Sequence, residues 1–177
     1  MNENNVEIVP MTPSDWPAVA AIYQQGMDSG NSTFTRQAPA SWEEWSAHKL
    51  PDCRLVARLQ GETVGWAALS PTTSNRVYRG VVELSIYIAP GAQRKGVGSA
   101  LMRAVISESE AHGIWTIQSL VFPENEGSVK LHLKNGFKLM CVHEKRGYMR
   151  FGPYAGLWRD VVLFERRSQI AGVGKDD

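Results

Sequence analysis

The feature that most limits how this chain folds is a strand that runs through a glycine-containing loop into a long helix. Residues 81–88 alternate between two kinds of side chain, as a strand with two different faces does, and residues 96–112 carry apolar side chains at helical spacing. Between them lies Gln93-Arg94-Lys95-Gly96-Val97-Gly98, with two glycines and two basic residues. Glycine allows a sharp turn and a close ligand approach, and the first N–H groups of a helix lack intrahelical partners. The segment therefore predicts a bound anion, although a turn with solvated basic side chains fits the two glycines equally well.

Short strand patterns and helical patterns alternate along the rest of the chain. Strands are predicted at residues 6–9, 54–59, 63–69, 116–122, 137–143 and 158–164, and helices after Thr12, after Ser41 and at residues 125–134. Strands interrupted by helices that must cover a sheet indicate a mixed α/β (α+β) layer fold. A chain of 177 residues suffices for one domain. We expect that domain to span residues 1–167 and residues 168–177 to form a flexible tail.

Composition argues against several classes of protein. The formal net charge of +1 disfavours a strongly basic nucleic-acid binder, so any anion site must be local and no nucleic-acid partner is expected. The polar start and the lack of a long apolar run predict no leader, no membrane span and a cytoplasmic location. Cys53 and Cys141 lie far apart without metal-ligand spacing, which predicts two structural thiols and no metal site.

The loop lacks the residues of two well-known phosphate motifs. A P-loop needs Gly-Lys followed by Ser or Thr, and a dinucleotide-binding fingerprint needs three glycines at its own spacing. Instead, Ser85-Ile86-Tyr87-Ile88-Ala89-Pro90 followed by residues 93–98 resembles the acetyl-CoA motif of the GNAT superfamily of acetyltransferases, whose core is Gln/Arg-x-x-Gly-x-Gly or Ala. Residues 125–137 are similar to the second motif of that superfamily, Asn-x-x-Ala/Ser-x-x-Leu-Tyr/His-x-x-x-Gly-Phe, at matching spacing.

Further features resemble one branch of the superfamily, the phosphinothricin and methionine sulfoximine acetyltransferases, including relatives that act on arsinothricin. They are Glu83, the pair Leu131-His132 and the segment Gly156-Leu157-Trp158-Arg159-Asp160-Val161. The chain departs from the superfamily at His132, where tyrosine is usual, and from the branch at Leu133, where glutamate often follows the histidine. The similarity covers residues 6–166.

The resemblance implies a GNAT-like fold, in which a central mixed but mostly antiparallel sheet of about six or seven strands is flanked by about four helices and splayed at the acetyl-CoA site. It implies acetyl-CoA as cosubstrate, with strand backbone holding the acetyl and pantetheine groups and the loop holding the pyrophosphate. The implied cofactor-binding residues are Ile86, Tyr87, Ile88, Gln93, Arg94, Lys95, Gly96, Val97, Gly98, Ser99, Asn125 and Ser128. Asn125 is also suited to cap the helix that starts there, and both roles can hold together.

Two side chains are candidates for the chemistry. Acetyl transfer to an amine needs the neutral amine as nucleophile and benefits from an acid near the departing thiolate. Glu83 is the candidate base, because glutamate is uncommon in strands and this one lies on the more polar face; a solvated carboxylate is the alternative. His132 is the candidate for protonating or orienting the thiolate, and a structural histidine is the alternative.

The candidates for substrate binding are aromatic and basic residues. A small amino acid brings a carboxylate, which favours arginine in its pocket. The candidates are Phe34, Arg76, Tyr78 and Arg79, with Tyr154, Trp158 and Arg159 completing the pocket from the same or a second subunit. The branch resemblance implies that second subunit, since it implies a homodimer. Simple packing of Phe34 and solvation of the two loop arginines are the alternatives.

These features together predict an acetyl-CoA-dependent N-acetyltransferase. Its expected substrate is the α-amino group of a small glutamate-like amino acid or a toxic analogue, acetylated by direct transfer. The first alternative is a member of the same superfamily that acetylates a protein N-terminus, a polyamine or an aminoglycoside, and the basic stretch before Glu83 disfavours the latter two, which are cationic. A non-catalytic acyl-CoA-binding module is the second alternative.

Overall fold

One seven-stranded β-sheet forms the centre of the protein in a computed structural model, which describes residues 6–174. Its strands are β1 (Glu7–Pro10), β2 (Arg54–Leu59), β3 (Glu62–Pro71), β4 (Val81–Ile88), β5 (Thr116–Val121), β6 (Lys138–Tyr148) and β7 (Trp158–Arg167). Their order across the sheet is β1-β2-β3-β4-β5-β7-β6. Every neighbouring pair is antiparallel except β4 and β5, which are parallel. The prediction of a mixed, mostly antiparallel sheet is confirmed.

Four α-helices accompany the sheet: α1 (Trp16–Asp28), α2 (Trp42–Ser46), α3 (Val97–Ala111) and α4 (Glu126–Lys134). Helix α3 buries Leu101, Met102 and Val105 in the larger apolar cluster, which includes side chains of β3, β4, β5 and β7. Helices α1 and α2 pack against a second cluster built around Trp66 of β3. Adjacent positions of β3 enter different clusters, as the alternation of side chains along a strand requires, so the helices cover both faces of the sheet.

The sheet opens between its two parallel strands. Strand β4 pairs with β5 at three positions, the last of which joins Glu83 to Gln118. Beyond that point β4 stays paired with β3 as far as Ile88 opposite Gly65, while β5 stays paired with β7. Residues 84–88 of β4 therefore have a strand partner on one side alone, and the predicted splay is confirmed.

Several elements run further than the sequence predicts. Helix α1, predicted after Thr12, continues to Asp28, and its Met27 side chain is completely buried. Strand β6 continues past the predicted end at residue 143 after an irregularity, and its last pair joins Tyr148 to Trp158. Strand β7 continues to Arg167, opposite Thr116. An alternation pattern could not reveal the extension of β6, since this strand shifts register where its pairing resumes.

The first residues after β7 form hydrogen bonds with the rest of the protein, while the expected boundary between domain and flexible tail at residue 168 stays a prediction. The Ser168 N–H donates to the Trp115 carbonyl at 2.8 Å, and its hydroxyl donates to Glu110 at 2.8 Å. Ala171 is buried, and its carbonyl accepts a hydrogen bond from Arg167 at 2.9 Å. Residues 175–177 lie outside the described part of the chain, so the prediction stays open for them.

Two further expectations concern cysteines and membranes. Cys53 is free and buried, and burial raises the pKa of its thiol to about 11, as suits a structural thiol. Cys141 is free but exposed on β6, so its side chain lies outside the core. Across residues 6–174, none of the helices combines the length and the apolar character needed to traverse a bilayer.

Candidate active site

The loop before α3 has the backbone geometry of an anion site. Arg94 and Gly96 have φ of 60° and 83°, and the positive value at residue 96 explains the need for glycine there. The first hydrogen bond of the helix runs from the Ala100 N–H to the Gly96 carbonyl at 3.0 Å. The N–H groups of residues 97–99 precede it and have no acceptor within the helix. With the exposed side chains of Arg94 and Lys95 beside them, they form a positive end that favours an anion.

The two sequence motifs meet in space at Gly98. A Cβ atom added to Gly98 would lie 3.2 Å from Cδ2 of Leu131 in α4 and 3.8 Å from Cγ1 of Ile88 at the end of β4. The absence of a side chain thus lets α4 approach the beginning of α3. The end of β4, the loop and α4 consequently border one region.

The last residues of β4 present backbone to the gap and side chains to the core. Ile86 and Ile88 pack against the larger cluster, and Tyr87 packs against the other. The Tyr87 ring stacks on Trp66 with centroids 5.0 Å apart and contacts Tyr23 at 4.7 Å. Burial raises the pKa of the Tyr87 phenol. These three residues can offer main-chain groups to a ligand because their side chains are engaged in packing.

Glu83 lies where the gap begins. Its side chain is exposed, and its neighbours across the sheet are Ser70 on β3 and Gln118 on β5. Ser85 follows two residues later on the same face. A carboxylate at this position can accept a proton from a molecule that lies in the gap.

Lys49 is a functional candidate that the sequence prediction missed. Its ammonium Nζ donates to Ser70 Oγ at 2.9 Å and to Ser85 Oγ at 3.2 Å, the two hydroxyls that flank Glu83 on this face. Burial lowers the pKa of Lys49, and the nearby charge of Glu83 opposes that shift. No motif signals this residue, since its partners are 21 and 36 residues away along the chain.

Asn125 caps α4, which is one of the two compatible roles that the sequence predicted for it. Its Oδ1 accepts from the Ser128 N–H at 3.2 Å. Its Nδ2 donates to the carbonyl of Asn31 at 3.0 Å. The side chain thus connects the second motif to the loop after α1, while a contact of Asn125 or Ser128 with pantetheine stays a prediction.

His132 is completely buried. Its Nδ1 lies 2.7 Å from the Ser128 carbonyl, so this nitrogen carries the proton. The ring stacks on Phe164 at 5.3 Å and meets Phe137 edge-on at 5.0 Å. Its Nε2 is buried, with no hydrogen-bond partner in the described part of the protein. Burial lowers the pKa of His132, although the Ser128 contact opposes the shift, so the neutral form is favoured.

Arg159 was expected in the substrate pocket, but it holds loops of its own chain together. It is 2% exposed and donates to the Gly30 carbonyl at 2.7 Å, to Asn31 Oδ1 at 2.8 Å and to Glu124 at 2.8 Å. Its guanidinium lies between the rings of Phe122 and Tyr154, 3.6 and 3.9 Å from their centroids. Three hydrogen bonds within the protein and nearly complete burial do not support Arg159 as a substrate ligand. Its Nε is also buried, without a partner among the described residues.

Phe34 packs beside this group of residues. Its ring meets Phe122 edge-on at 4.9 Å and lies so close to Gly147 of β6 that an added Cβ would be 2.7 Å away. About one third of the side chain stays exposed, at 37%. The packing alternative for Phe34 therefore holds, and the exposed part is still free to contact a substrate.

Arg76, Tyr78 and Arg79 lie in the exposed turn before β4, and contacts of Arg76 and Tyr78 with a substrate stay a prediction. The Arg79 guanidinium lies over the Trp115 ring at 5.3 Å. It lines a surface cavity of about 480 Å³ together with residues 110–113 and 170–172, at the C-terminal end of α3. The contact with Trp115 engages the Arg79 guanidinium, and binding of a substrate by Arg79 stays a prediction.

Comparison with known proteins identifies a family whose sequence model matches this chain. Residues 16–137 match the sequence model described as the Acetyltransferase (GNAT) family. Phosphinothricin N-acetyltransferase of Streptomyces viridochromogenes is 31% identical over 93% of this chain and 89% of its own. L-methionine sulfoximine/L-methionine sulfone acetyltransferase of Pseudomonas aeruginosa is 26% identical over 86% and 88%. The crystal structure of a GNAT superfamily phosphinothricin acetyltransferase from Sinorhizobium meliloti, in complex with AcCoA, superposes with a TM-score of 0.84 at 24% identity, covering 96% and 92%.

Proposed function

Since the chain belongs to the acetyltransferase (GNAT) family, we propose that it transfers the acetyl group of acetyl-CoA directly to the α-amino group of a small amino acid or toxic analogue, of the phosphinothricin, methionine sulfoximine or arsinothricin type. The observation that carries this proposal is the position of Glu83 at the start of the β4–β5 gap, with the positive loop following the other end of β4. The names of the two curated relatives support the substrate class.

The gap and the loop fit acetyl-CoA by their chemistry. The backbone of Ile86, Tyr87 and Ile88 offers donors and acceptors to the amide groups of pantetheine, as an added strand would. The free N–H groups before Ala100 suit the pyrophosphate. A Cβ at Gly96 would meet no atom within 4 Å, so the space in front of the loop is open to a ligand. Bound acetyl-CoA supplies the reactive thioester.

Glu83 is the general base in this proposal. It accepts a proton from the substrate ammonium, directly or through a water molecule, and so generates the neutral amine that attacks the thioester carbonyl. The N–C bond forms, the C–S bond breaks, and the thiolate leaves with the electron pair. The proton that the nitrogen loses as the amide forms passes to the thiolate, directly or through a water molecule, and gives the free thiol of CoA. Main-chain donors of β4 facing the gap stabilise the negative charge on the carbonyl oxygen.

His132 has a positioning role in this scheme. Its single proton is engaged with the Ser128 carbonyl, and its lowered pKa favours the neutral ring, so Nε2 has no proton to give to a thiolate. Its stacking on Phe164 instead fixes α4 against β7. Protonation of the thiolate by His132 is therefore not part of the proposal.

The test is thiol release from acetyl-CoA with a panel of phosphinothricin, methionine sulfoximine, methionine sulfone, arsinothricin and ordinary amino acids. Glu83→Gln should lower kcat by about 10²- to 10⁴-fold, the usual contribution of a general base, with acetyl-CoA affinity nearly unchanged. Glu62→Gln, an exposed carboxylate at the start of β3, is the matched control. Unchanged turnover in Glu83→Gln would refute the base assignment, and a panel at background while a peptide or polyamine reacts would refute the substrate class.

We also propose a homodimer that uses the edge of the sheet at β6. Strand β6 is the edge strand of the sheet and exposes large apolar side chains. Monomeric proteins seldom have such side chains clustered on their surface. The exposed side chains are Leu139, Met140, Val142 and Tyr148, with Trp158 of β7 beside them. Sedimentation equilibrium should give twice the chain mass, and Met140→Glu should shift it to the monomer. A wild-type monomer at micromolar concentration would refute this assembly.

A further inference from the structure

The ammonium group of Lys49 lies beside Glu83 without a partner of opposite charge in contact. Within residues 6–174 it forms no ion pair, and its two acceptors are the neutral hydroxyls of Ser70 and Ser85. An ammonium has three N–H donors, and the two serines use two of them. The Nζ also lies 6.0 Å from the centroid of the Trp45 ring, which is not an anion. The side chain is half-buried. A partly desolvated cation whose contacts are all neutral favours an anionic ligand.

A surface cavity of about 480 Å³ leads to Lys49. It is lined by Ala47, His48, Lys49, Pro71, Thr72, Thr73 and Ser74. These residues include three hydroxyl side chains and no carboxylate, so nothing in the lining repels an anion. The cavity borders Lys49, whose ammonium contacts the hydroxyls of Ser70 and Ser85 beside Glu83.

The sheet register places this cation next to the proposed base. Ser70 is the cross-strand partner of Glu83, and Ser85 is its neighbour two positions along the same strand. Opposite residues on one face of an antiparallel pair have Cβ atoms only about 5 Å apart. In an α-amino acid the carboxylate and the amine are attached to the same carbon atom. A base that receives the amine proton and a cation that binds the carboxylate must therefore be neighbours, as Glu83 and Lys49 are.

We propose that Lys49 binds the α-carboxylate of the substrate, places the α-amine at Glu83 and thereby selects amino acids over amines without a carboxylate. The inference rests on the proposed function, because it names the contact by which that site recognises its amine. It assigns to Lys49 the role for which the arginines of the turn before β4 were candidates.

The test compares an amino acid that the wild-type enzyme acetylates with its α-carboxamide. Wild type should prefer the acid in kcat/KM, and Lys49→Met should remove about 10- to 100-fold of that preference, as a lost charged hydrogen bond does. The loss should appear mainly in KM of the acid. The ratio between enzymes cancels the different basicity of the two amines. Lys49→Arg should retain part of the preference, and Lys130→Met, which removes an exposed lysine of α4, is the control for net charge.

Equal losses for the acid and the carboxamide in Lys49→Met, with the melting temperature and acetyl-CoA affinity unchanged, would overturn the assignment. Such losses would make Lys49 a support for Glu83 rather than a ligand of the substrate. If wild type acetylates amines that lack a carboxylate but no amino acid, both the inference and the proposed function are wrong. If wild type acetylates amino acids and Lys49→Met keeps the full preference, the inference alone is wrong.

Discussion

Replacing Arg159 by methionine tests whether a single buried guanidinium holds the loop after α1 against the start of α4. Methionine keeps much of the length and apolar contact of the arginine stem but removes the hydrogen bonds to Gly30, Asn31 and Glu124. The same loop also accepts the Asn125 amide at the carbonyl of Asn31. Loss of the guanidinium should therefore loosen a loop that borders the proposed acetyl-CoA site.

The expected magnitude follows from what each partner loses. Breaking a buried ion pair typically costs about 3–5 kcal/mol, because the remaining charge is stranded. Here Glu124 is 42% exposed, so water can solvate it in the variant. Arg159 also has a buried Nε without a partner among the described residues, and its removal offsets part of the loss. We expect Arg159→Met to lower the free energy of unfolding by about 2–4 kcal/mol.

Urea unfolding followed by tryptophan fluorescence measures this change. Arg103→Met, at an exposed position of α3, should stay within about 0.5 kcal/mol of wild type and serves as control. A loss below about 1 kcal/mol in Arg159→Met, with an unchanged denaturant slope, would refute the view that these bonds fix the loop.

Two further predictions concern the loop before α3 and the buried histidine. Gly96→Glu should abolish acetyl-CoA binding in calorimetry, because it adds bulk and negative charge at the anion site. The control Gly61→Glu, at a residue with nearly the same φ of 84° and equally open space, should bind acetyl-CoA normally. Unaltered affinity in Gly96→Glu would refute the assignment of the loop. Because burial lowers the pKa of His132, its contribution to stability is complete above about pH 6.5 and is lost as the pH falls through the folded-state pKa, by up to about 1.4 kcal/mol per pH unit. His132→Phe should flatten this decline in urea unfolding between pH 7.5 and 5, and an unchanged decline would contradict it.

Local patterns predict the elements of this fold because each element is built from neighbours in sequence. The alternation along residues 81–88 gives β4 and the face of Glu83, and the Ser41 cap gives α2, whose Glu44 N–H donates to the serine hydroxyl at 3.2 Å. The two glycines at the start of α3 are needed for different physical reasons, a positive φ at Gly96 and a close helix contact at Gly98. Only the first reason can be inferred from a turn pattern.

Contacts between distant segments could not be predicted in the same way. Lys49 reaches Ser70 and Ser85 only because β3 and β4 have one particular register, which no single strand encodes. Arg79 looked like a substrate ligand from its distance to Glu83 along the chain, yet its side chain lies on Trp115. Arg159 was a pocket candidate because it lies in a segment that resembles the phosphinothricin acetyltransferase branch. Its hydrogen bonds instead join it to Gly30 and Asn31 in the loop after α1, 129 and 128 residues away along the chain.

The three residue pairs that join β4 to β5 divide the sheet into two blocks, β1–β4 and β5–β7, along one short seam. Beyond Gln118 the blocks share apolar packing against α3 but no ladder of hydrogen bonds. Changing the angle between them around that seam therefore breaks few backbone bonds, whereas bending either block would break many. A molecule lying along residues 84–88 would lie between the two blocks, so we expect the width of the cleft, and with it the distance that an amine must cross, to depend on what is bound there.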